Sequence, residues 1–214
     1  MTTQPTSLAR SHLEYLQMGR PGSKRPVLLL HDTGGGTGEL DHFGAGLKDD
    51  RLLIAPSGFY GVYGGLMALK SRQWFLEWPG ESGPEPASFG RSLTDIEALL
   101  LDLYQGICRQ CPPPIVFGIG QGATIALALV SLVPELLGGA LLVDGRLTHI
   151  DGWEPRRQRS EGLLVSLRAC ETTRAQQEAV ASHLMELGAR TDCGATTDPY
   201  SVLEFANWLS ERGL

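Results

Sequence analysis

Short apolar runs recur along the chain, and a polar or glycine-rich segment follows each of them. The clearest runs lie at 26–30, 51–55, 115–117, 139–143 and 162–167. Continuous apolar runs of this length are typical of strands that are buried on both faces of a parallel sheet. We therefore expect central strands there, with a leading strand at 12–17 and a further strand at 189–193.

Segments with helical periodicity separate these runs. Helices are predicted at 41–47, 92–108, 121 onward, 173–187 and 201–209, with Ser92 as the N-cap of the second and Asp95 three residues later. Strands that alternate with helices indicate the α/β class, with a mostly parallel sheet flanked by helices on both faces. The residues 58–90 show no regular pattern, and we expect a long loop there that is functional or contains hidden structure.

Composition narrows the class of protein. A chain of 214 residues with 42% hydrophobic residues suits one well-cored domain, so a single domain over 1–214 is expected. The formal charge of −6 argues against a nucleic-acid partner. The first 25 residues contain no apolar run of the signal-peptide type, and Pro134 and Glu135 interrupt the stretch 122–143, so no membrane partner is expected. These features predict a cytoplasmic protein with reduced thiols, and they leave a homodimer open.

The most specific motif is the segment 118–122, Gly-Ile-Gly-Gln-Gly, which follows the strand at 115–117 and opens an apolar helix. A strand, the pattern Gly-x-Ser-x-Gly and a helix form the nucleophile elbow of serine hydrolases, whose strained turn raises a serine hydroxyl above the sheet. In this chain Gly120 stands at the serine position.

A second segment, His-Asp-Thr-Gly-Gly at 31–35, follows the strand at 26–30. With the elbow motif it makes the chain resemble the α/β-hydrolase fold, and specifically its small phospholipase/carboxylesterase (dienelactone-hydrolase-like) branch. The segment Arg-Gln-Trp-Phe at 72–75 is similar to the aromatic segment that lines the pocket of this branch. The resemblance extends over 26–209. The candidate pocket residues are His31, Ile119, Trp74, Phe75 and His149.

The resemblance implies a Ser–His–Asp triad, but all three of its positions depart from the pattern. The nucleophile falls on Gly120, the acid on Cys170 and the histidine on Ala195. Because a triad needs a base near the nucleophile and an acid that orients this base, we predict a degenerate triad. The resemblance also implies that the backbone N–H groups of Thr33 and Gln121 still form an oxyanion hole.

Two carboxylates are the candidate catalytic residues. Asp32 is either a carboxylate at the edge of the pocket or a cap of its own loop. Asp144 ends a central strand, where other α/β hydrolases place their acid, or it forms an Asp-Gly turn. His31 and His149 have structural and surface roles as their alternatives, and the thiol of Cys170 is expected to be buried.

Several functions remain open. The five histidines have no metal-ligand spacing and the glycines at 34–38 have no nucleotide-binding signature, so no metal and no cofactor are expected. One hypothesis is a non-hydrolytic lyase, isomerase or cyclase, in which the Thr33 and Gln121 amides polarise a small carbonyl metabolite while Asp32 or Asp144 moves a proton. Another is a pseudo-hydrolase that binds a small ester-like ligand or a protein partner. A third is a carboxylesterase or thioesterase with a substitute nucleophile such as Cys170.

Overall fold

The computed structural model describes residues 12–38, 43, 47, 51–62, 71–77, 83–148, 158–170 and 174–214. Its strands are β1 (Tyr15–Met18), β2 (Val27–Leu30), β3 (Leu53–Pro56), β4 (Tyr60–Gly61), β5 (Arg72–Gln73), β6 (Ile115–Ile119), β7 (Gly139–Val143), β8 (Leu164–Ala169) and β9 (Arg190–Ala195). Its helices are α1 (Pro86–Gln105), α2 (Gln121–Leu132), α3 (Arg174–Glu186) and α4 (Val202–Glu211).

Seven of the strands form one sheet in the order β1-β3-β2-β6-β7-β8-β9. β1 pairs with β3 in the antiparallel direction, and every other pair of neighbours is parallel. β6 lies between β2 and β7, with Leu30 opposite Gly118 and Ile119 opposite Val143. Because the carboxyl ends of parallel strands meet at one edge, the turns after β2, β6 and β7 lie side by side.

Helices cover both faces of the sheet, and each face has its own apolar core. On one face, α1, α2 and α3 contribute buried residues that include Leu99, Ile125 and Leu184. On the other face, Phe205 of α4 packs in a cluster that contains Phe43. The predicted α/β class and the two covered faces are therefore confirmed. Among the helices that the structure describes, none is both long and apolar enough to cross a bilayer.

The start of α1 differs from the prediction. The helix begins with Pro86 in its first turn, and the side chain of Glu85 caps it by accepting a hydrogen bond from the N–H of Ser88 at 2.7 Å. Ser92 lies inside the helix, where its hydroxyl donates to the carbonyl oxygen of Trp74. The prediction of Ser92 as N-cap is wrong because a glutamate further upstream supplies the cap, and glutamate lies outside the usual capping set.

The predicted loop at 58–90 contains regular structure. β4 and β5 pair in it as a small antiparallel sheet, and the first turn of α1 occupies its end. The residues 63–70 and 78–82 lie outside the described part of the chain. Most of the predicted helix at 41–47 also lies outside it, apart from Phe43 and Leu47, which are both buried.

Candidate functional site

The turn between β6 and α2 has the strained backbone of an elbow. Gly120 has φ 52° and ψ −113°, a conformation that residues with a side chain rarely adopt. Its N–H donates to the carbonyl oxygen of Val143 at 2.9 Å. Position 122 requires a glycine because the backbone of β2 lies against it: a Cβ there would lie 2.1 Å from the carbonyl oxygen of Leu30. The predicted strand, turn and helix are confirmed.

The side chain of Asp32 occupies the space in front of this elbow. Its Oδ1 accepts a hydrogen bond from the backbone N–H of Gln121 at 2.9 Å and another from the N–H of Thr33 at 2.7 Å. These are the two N–H groups that were expected to form an oxyanion hole. Both of them point to one oxygen atom, and this oxygen belongs to the chain itself.

Asp32 and Gly120 are complementary in shape. A Cβ at position 120 would lie 2.0 Å from Oδ1 of Asp32, 2.2 Å from its Cγ and 2.5 Å from its Oδ2. Contacts this short do not occur, so any side chain at position 120 would have to displace the carboxylate. The carboxylate of Asp32 therefore fills the volume in which the nucleophile of an elbow would begin.

The second oxygen of this carboxylate, Oδ2, differs from Oδ1 in its hydrogen bonding. Among the described residues, Oδ2 of Asp32 accepts no hydrogen bond and no cationic side chain forms an ion pair with it. The residue is partly exposed.

His31 connects the loop at 31–35 to Gly58 through its two ring nitrogens. Its Nε2 accepts the N–H of Gly58 at 2.9 Å, so the proton is assigned to Nδ1, which donates to the carbonyl oxygen of Asp32 at 2.6 Å. Burial lowers the pKa of His31, which keeps the ring neutral at physiological pH. Because backbone groups engage both ring nitrogens, this geometry matches the structural alternative for His31.

Gln121 positions the aromatic segment that follows β5. Its Oε1 accepts the N–H of Trp74 at 3.0 Å, and its Nε2 donates to the carbonyl oxygen of Phe75 at 3.1 Å. Trp74 is 0% exposed and Phe75 is 4% exposed. Ile119, at the end of β6, is also buried. Trp74 and Phe75 belong to the core on one face of the sheet and Ile119 to the core on the other. Their role in lining a ligand pocket stays a prediction.

Asp144 and Cys170 meet where β7 and β8 end. Oδ1 of Asp144 accepts the backbone N–H of Cys170 at 2.9 Å, and Asp144 itself has a positive φ of 55°. Cys170 is exposed, so the expected burial of its thiol is wrong. The reason is its position, since it lies just beyond the last residue of β8. His149 lies outside the described residues, and its role remains a prediction.

Ala195, the third triad position of the resemblance, ends β9 opposite Ala169. Its methyl group offers neither a donor nor an acceptor. Gly120, Cys170 and Ala195 thus follow or end the strands β6, β8 and β9, and none of the three supplies an imidazole. Within the described ranges, no three His, Cys, Asp or Glu side chains gather as a metal ion would require.

Gly58 supports the site, although no sequence motif singled it out. Gly58 donates its N–H to His31, and a Cβ on Gly58 would lie 2.5 Å from the carbonyl oxygen of Gln73. The available signal was a glycine that comes soon after a buried strand, a place where the backbone often approaches another segment closely.

The chain was compared with protein families, curated proteins and solved structures. No protein-family model matches the chain, and no curated protein matches its sequence. Solved structures match over nearly the whole chain. A carboxylesterase from Bacillus cereus superposes with a TM-score of 0.76 at 16% identity, covering 95% of this chain and 96% of its own. The chain has the α/β-hydrolase fold.

Two further α/β-hydrolase-fold structures agree. A carboxylesterase from Mesorhizobium loti has a TM-score of 0.76 at 18% identity, covering 97% of this chain and 99% of its own. The esterase PE8 has a TM-score of 0.73 at 21% identity, covering 93% and 98%. At these identities the likeness concerns the fold alone, so the chemistry has to be argued from the site.

Proposed function

We propose that this α/β-hydrolase-fold protein binds a small ligand at the elbow without hydrolysing it. One observation carries the proposal: Oδ1 of Asp32 takes both N–H donors, those of Gln121 and Thr33, that an esterase would offer to its substrate. In an esterase such donors stabilise the developing oxyanion, and this is usually the largest single contribution to catalysis. A hole that is filled by the chain's own carboxylate does not offer this stabilisation.

The residues at the triad positions support the same proposal. Gly120 supplies no hydroxyl, and neither Cys170 nor Ala195 supplies a base that would activate one. Cys170 stands after β8, in the place of the acid rather than at the elbow, and its backbone N–H donates to Asp144. Its thiol therefore follows a different strand from the one that leads into the elbow.

A second function is favoured by the second oxygen of Asp32. Because Oδ2 has no donor among the described residues, it would be able to take a proton from a carbonyl substrate, as a lyase, isomerase or cyclase requires. In the observed arrangement the two amides are not available to polarise this carbonyl, since Oδ1 already holds them. Binding needs no such polarisation, and it is therefore the function that we prefer.

Generic ester substrates test the proposal. We expect no turnover of p-nitrophenyl butyrate above the buffer rate and no adduct with a fluorophosphonate probe in the intact mass spectrum. An active carboxylesterase of the same fold, assayed in parallel, is the positive control. Ester turnover by the wild-type chain would contradict the proposal. Deuterium uptake from D2O into the methyl group of pyruvate, lost in Asp32→Asn, would favour the second function instead.

A further inference from the structure

We infer that Asp32 inverts the polarity of the oxyanion hole, so that the elbow selects ligands with an ammonium or N–H group over carboxylates and carbonyl compounds. This inference rests on the proposed function, because it names the class of ligand for the same site. In an esterase, backbone donors at the start of the helix create a place for a negatively charged oxygen. In this chain a negatively charged oxygen is already there.

The carboxylate is held in a fixed position before any ligand arrives. Its Oδ1 is bound by the two amides described above, at 2.9 and 2.7 Å. Two backbone hydrogen bonds connect the loop that carries Asp32 to β5. The N–H of Gly34 donates to the carbonyl oxygen of Arg72 at 2.8 Å, and the N–H of Arg72 donates to the carbonyl oxygen of Gly35 at 3.0 Å. A preorganised acceptor loses little conformational freedom when it binds, which favours affinity.

The second oxygen lies beside the position where the side chain of a nucleophile would begin. Oδ2 of Asp32 lies 2.5 Å from the position of a Cβ at residue 120. In an α/β hydrolase the side chain that begins there is exposed at the top of the sheet, toward the substrate. An ammonium group at this place would gain a charge-assisted hydrogen bond to Oδ2. A carboxylate or carbonyl oxygen would meet a charge of its own sign.

No described cation neutralises this charge. His31, which precedes Asp32 in the sequence, uses both ring nitrogens on backbone groups, and burial lowers its pKa. Across the described residues, Asp32 has no ion-pair partner. The net charge of −6 on the whole chain adds a field that attracts cations.

Two probes of equal length and opposite charge, n-butylammonium and n-butyrate, test the inference. The readout is the proton–nitrogen correlation spectrum, in which the amides of Gln121 and Thr33 report on Oδ1 of Asp32. We expect butylammonium to shift both signals saturably in the wild type and butyrate to leave them unchanged. The isosteric Asp32→Asn variant should bind butylammonium about tenfold more weakly, because it loses a hydrogen bond to a charged group.

The variant Asp32→Gly should reverse the preference for butylammonium, because it frees the N–H groups of Gln121 and Thr33. The signals of these two amides should then respond to butyrate and no longer to butylammonium. Asp198→Asn is the matched control, since it removes a different carboxylate that also accepts a backbone N–H, that of Tyr200, and it should respond like the wild type. The inference is overturned if wild-type amides ignore butylammonium, respond equally to butyrate, or respond unchanged in Asp32→Asn. Neither probe contains an ester, so these results are independent of the hydrolysis assay that tests the proposed function.

Discussion

The sheet holds its carboxylates in two opposite ways. At the elbow, Asp32 is bound by two backbone N–H groups and has no ion-pair partner among the described residues. At the far edge of the sheet, Arg168 pairs with Asp192 at 2.9 Å and with Glu204 at 3.3 Å, and Arg212 also pairs with Asp192. We call these four residues the β8–β9 cluster.

The two regions differ in what surrounds each carboxylate. Burial raises the pKa of Asp192, but hydrogen bonds from Ser166, Arg168 and Arg212 outweigh it and lower the pKa overall. The guanidinium groups of this cluster cancel the carboxylate charges and join α4 to the sheet. Backbone amides orient Asp32 without contributing a net charge, and no described cation pairs with its carboxylate.

The largest expected effect comes from one methyl group at the elbow. Gly120→Ala would place a Cβ 2.0 Å from Oδ1 of Asp32 and displace the carboxylate from its donors. We expect the free energy of unfolding to fall by about 2 kcal/mol, from backbone strain and the lost hydrogen bonds of the carboxylate, measured by urea denaturation. In an Asp32→Gly background the same change should cost only the backbone strain at positive φ, about 1 kcal/mol. Equal costs in the two backgrounds would show that Asp32 does not fill this volume.

The β8–β9 cluster should contribute to stability and not to ligand binding. Asp192→Asn removes the shared partner of Arg168 and Arg212, and because these pairs are partly exposed we expect a loss of about 1 kcal/mol in the free energy of unfolding. The butylammonium response of the Gln121 amide should remain that of the wild type. A weakened response in this variant would contradict the separation of the two regions.

The same variant gives a pH test. The folded pKa of Asp192 lies below its ordinary value of 3.8, so its contribution is present above that pH and is lost as the pH falls through the folded pKa. The stability difference between wild type and Asp192→Asn should therefore be complete at neutral pH and shrink in acid. If the stability difference between wild type and Asp192→Asn did not depend on pH, Asp192 would have the same pKa in the folded and the unfolded chain.

The smallest expected effect concerns His31, which supports the elbow from behind. Burial lowers its pKa from 6.5, so below that pH the unfolded chain binds more protons than the folded one, and stability should fall as the pH falls. His31→Gln keeps a donor and an acceptor but does not titrate. Its free energy of unfolding should depend less on pH in this acid range. An unchanged pH dependence would argue against a neutral, buried His31.

The frame of the elbow was predictable because it is local. The strand β6, the glycines of the turn and the start of α2 are neighbours in the chain, and the requirement for Gly122 follows from contact with the adjacent strand β2. The continuous apolar runs also located β2, β6 and β7, since strands that are buried on both faces leave this pattern.

The position of the Asp32 side chain was not predictable because it depends on a contact between distant segments of the chain. The sequence singled out Asp32 and Gly120 separately, but no local pattern fixes which way an aspartate side chain turns in a loop. The β8–β9 cluster was missed for a similar reason. Arg168 and Asp192 meet only through the register of β8 against β9, which places Ser166 opposite Asp192.

The hydrogen bonds from the Gln121 and Thr33 amides to Asp32 can be tested most directly by scalar couplings across them. In an isotope-labelled sample, a long-range HNCO experiment detects coupling between an amide nitrogen and the carbonyl carbon whose oxygen accepts its proton. We expect a cross-peak from the nitrogen of Gln121 to Cγ of Asp32, and its disappearance in Asp32→Gly. A Gln121 amide that exchanges rapidly with solvent and shows no coupling to Asp32 would contradict this expectation.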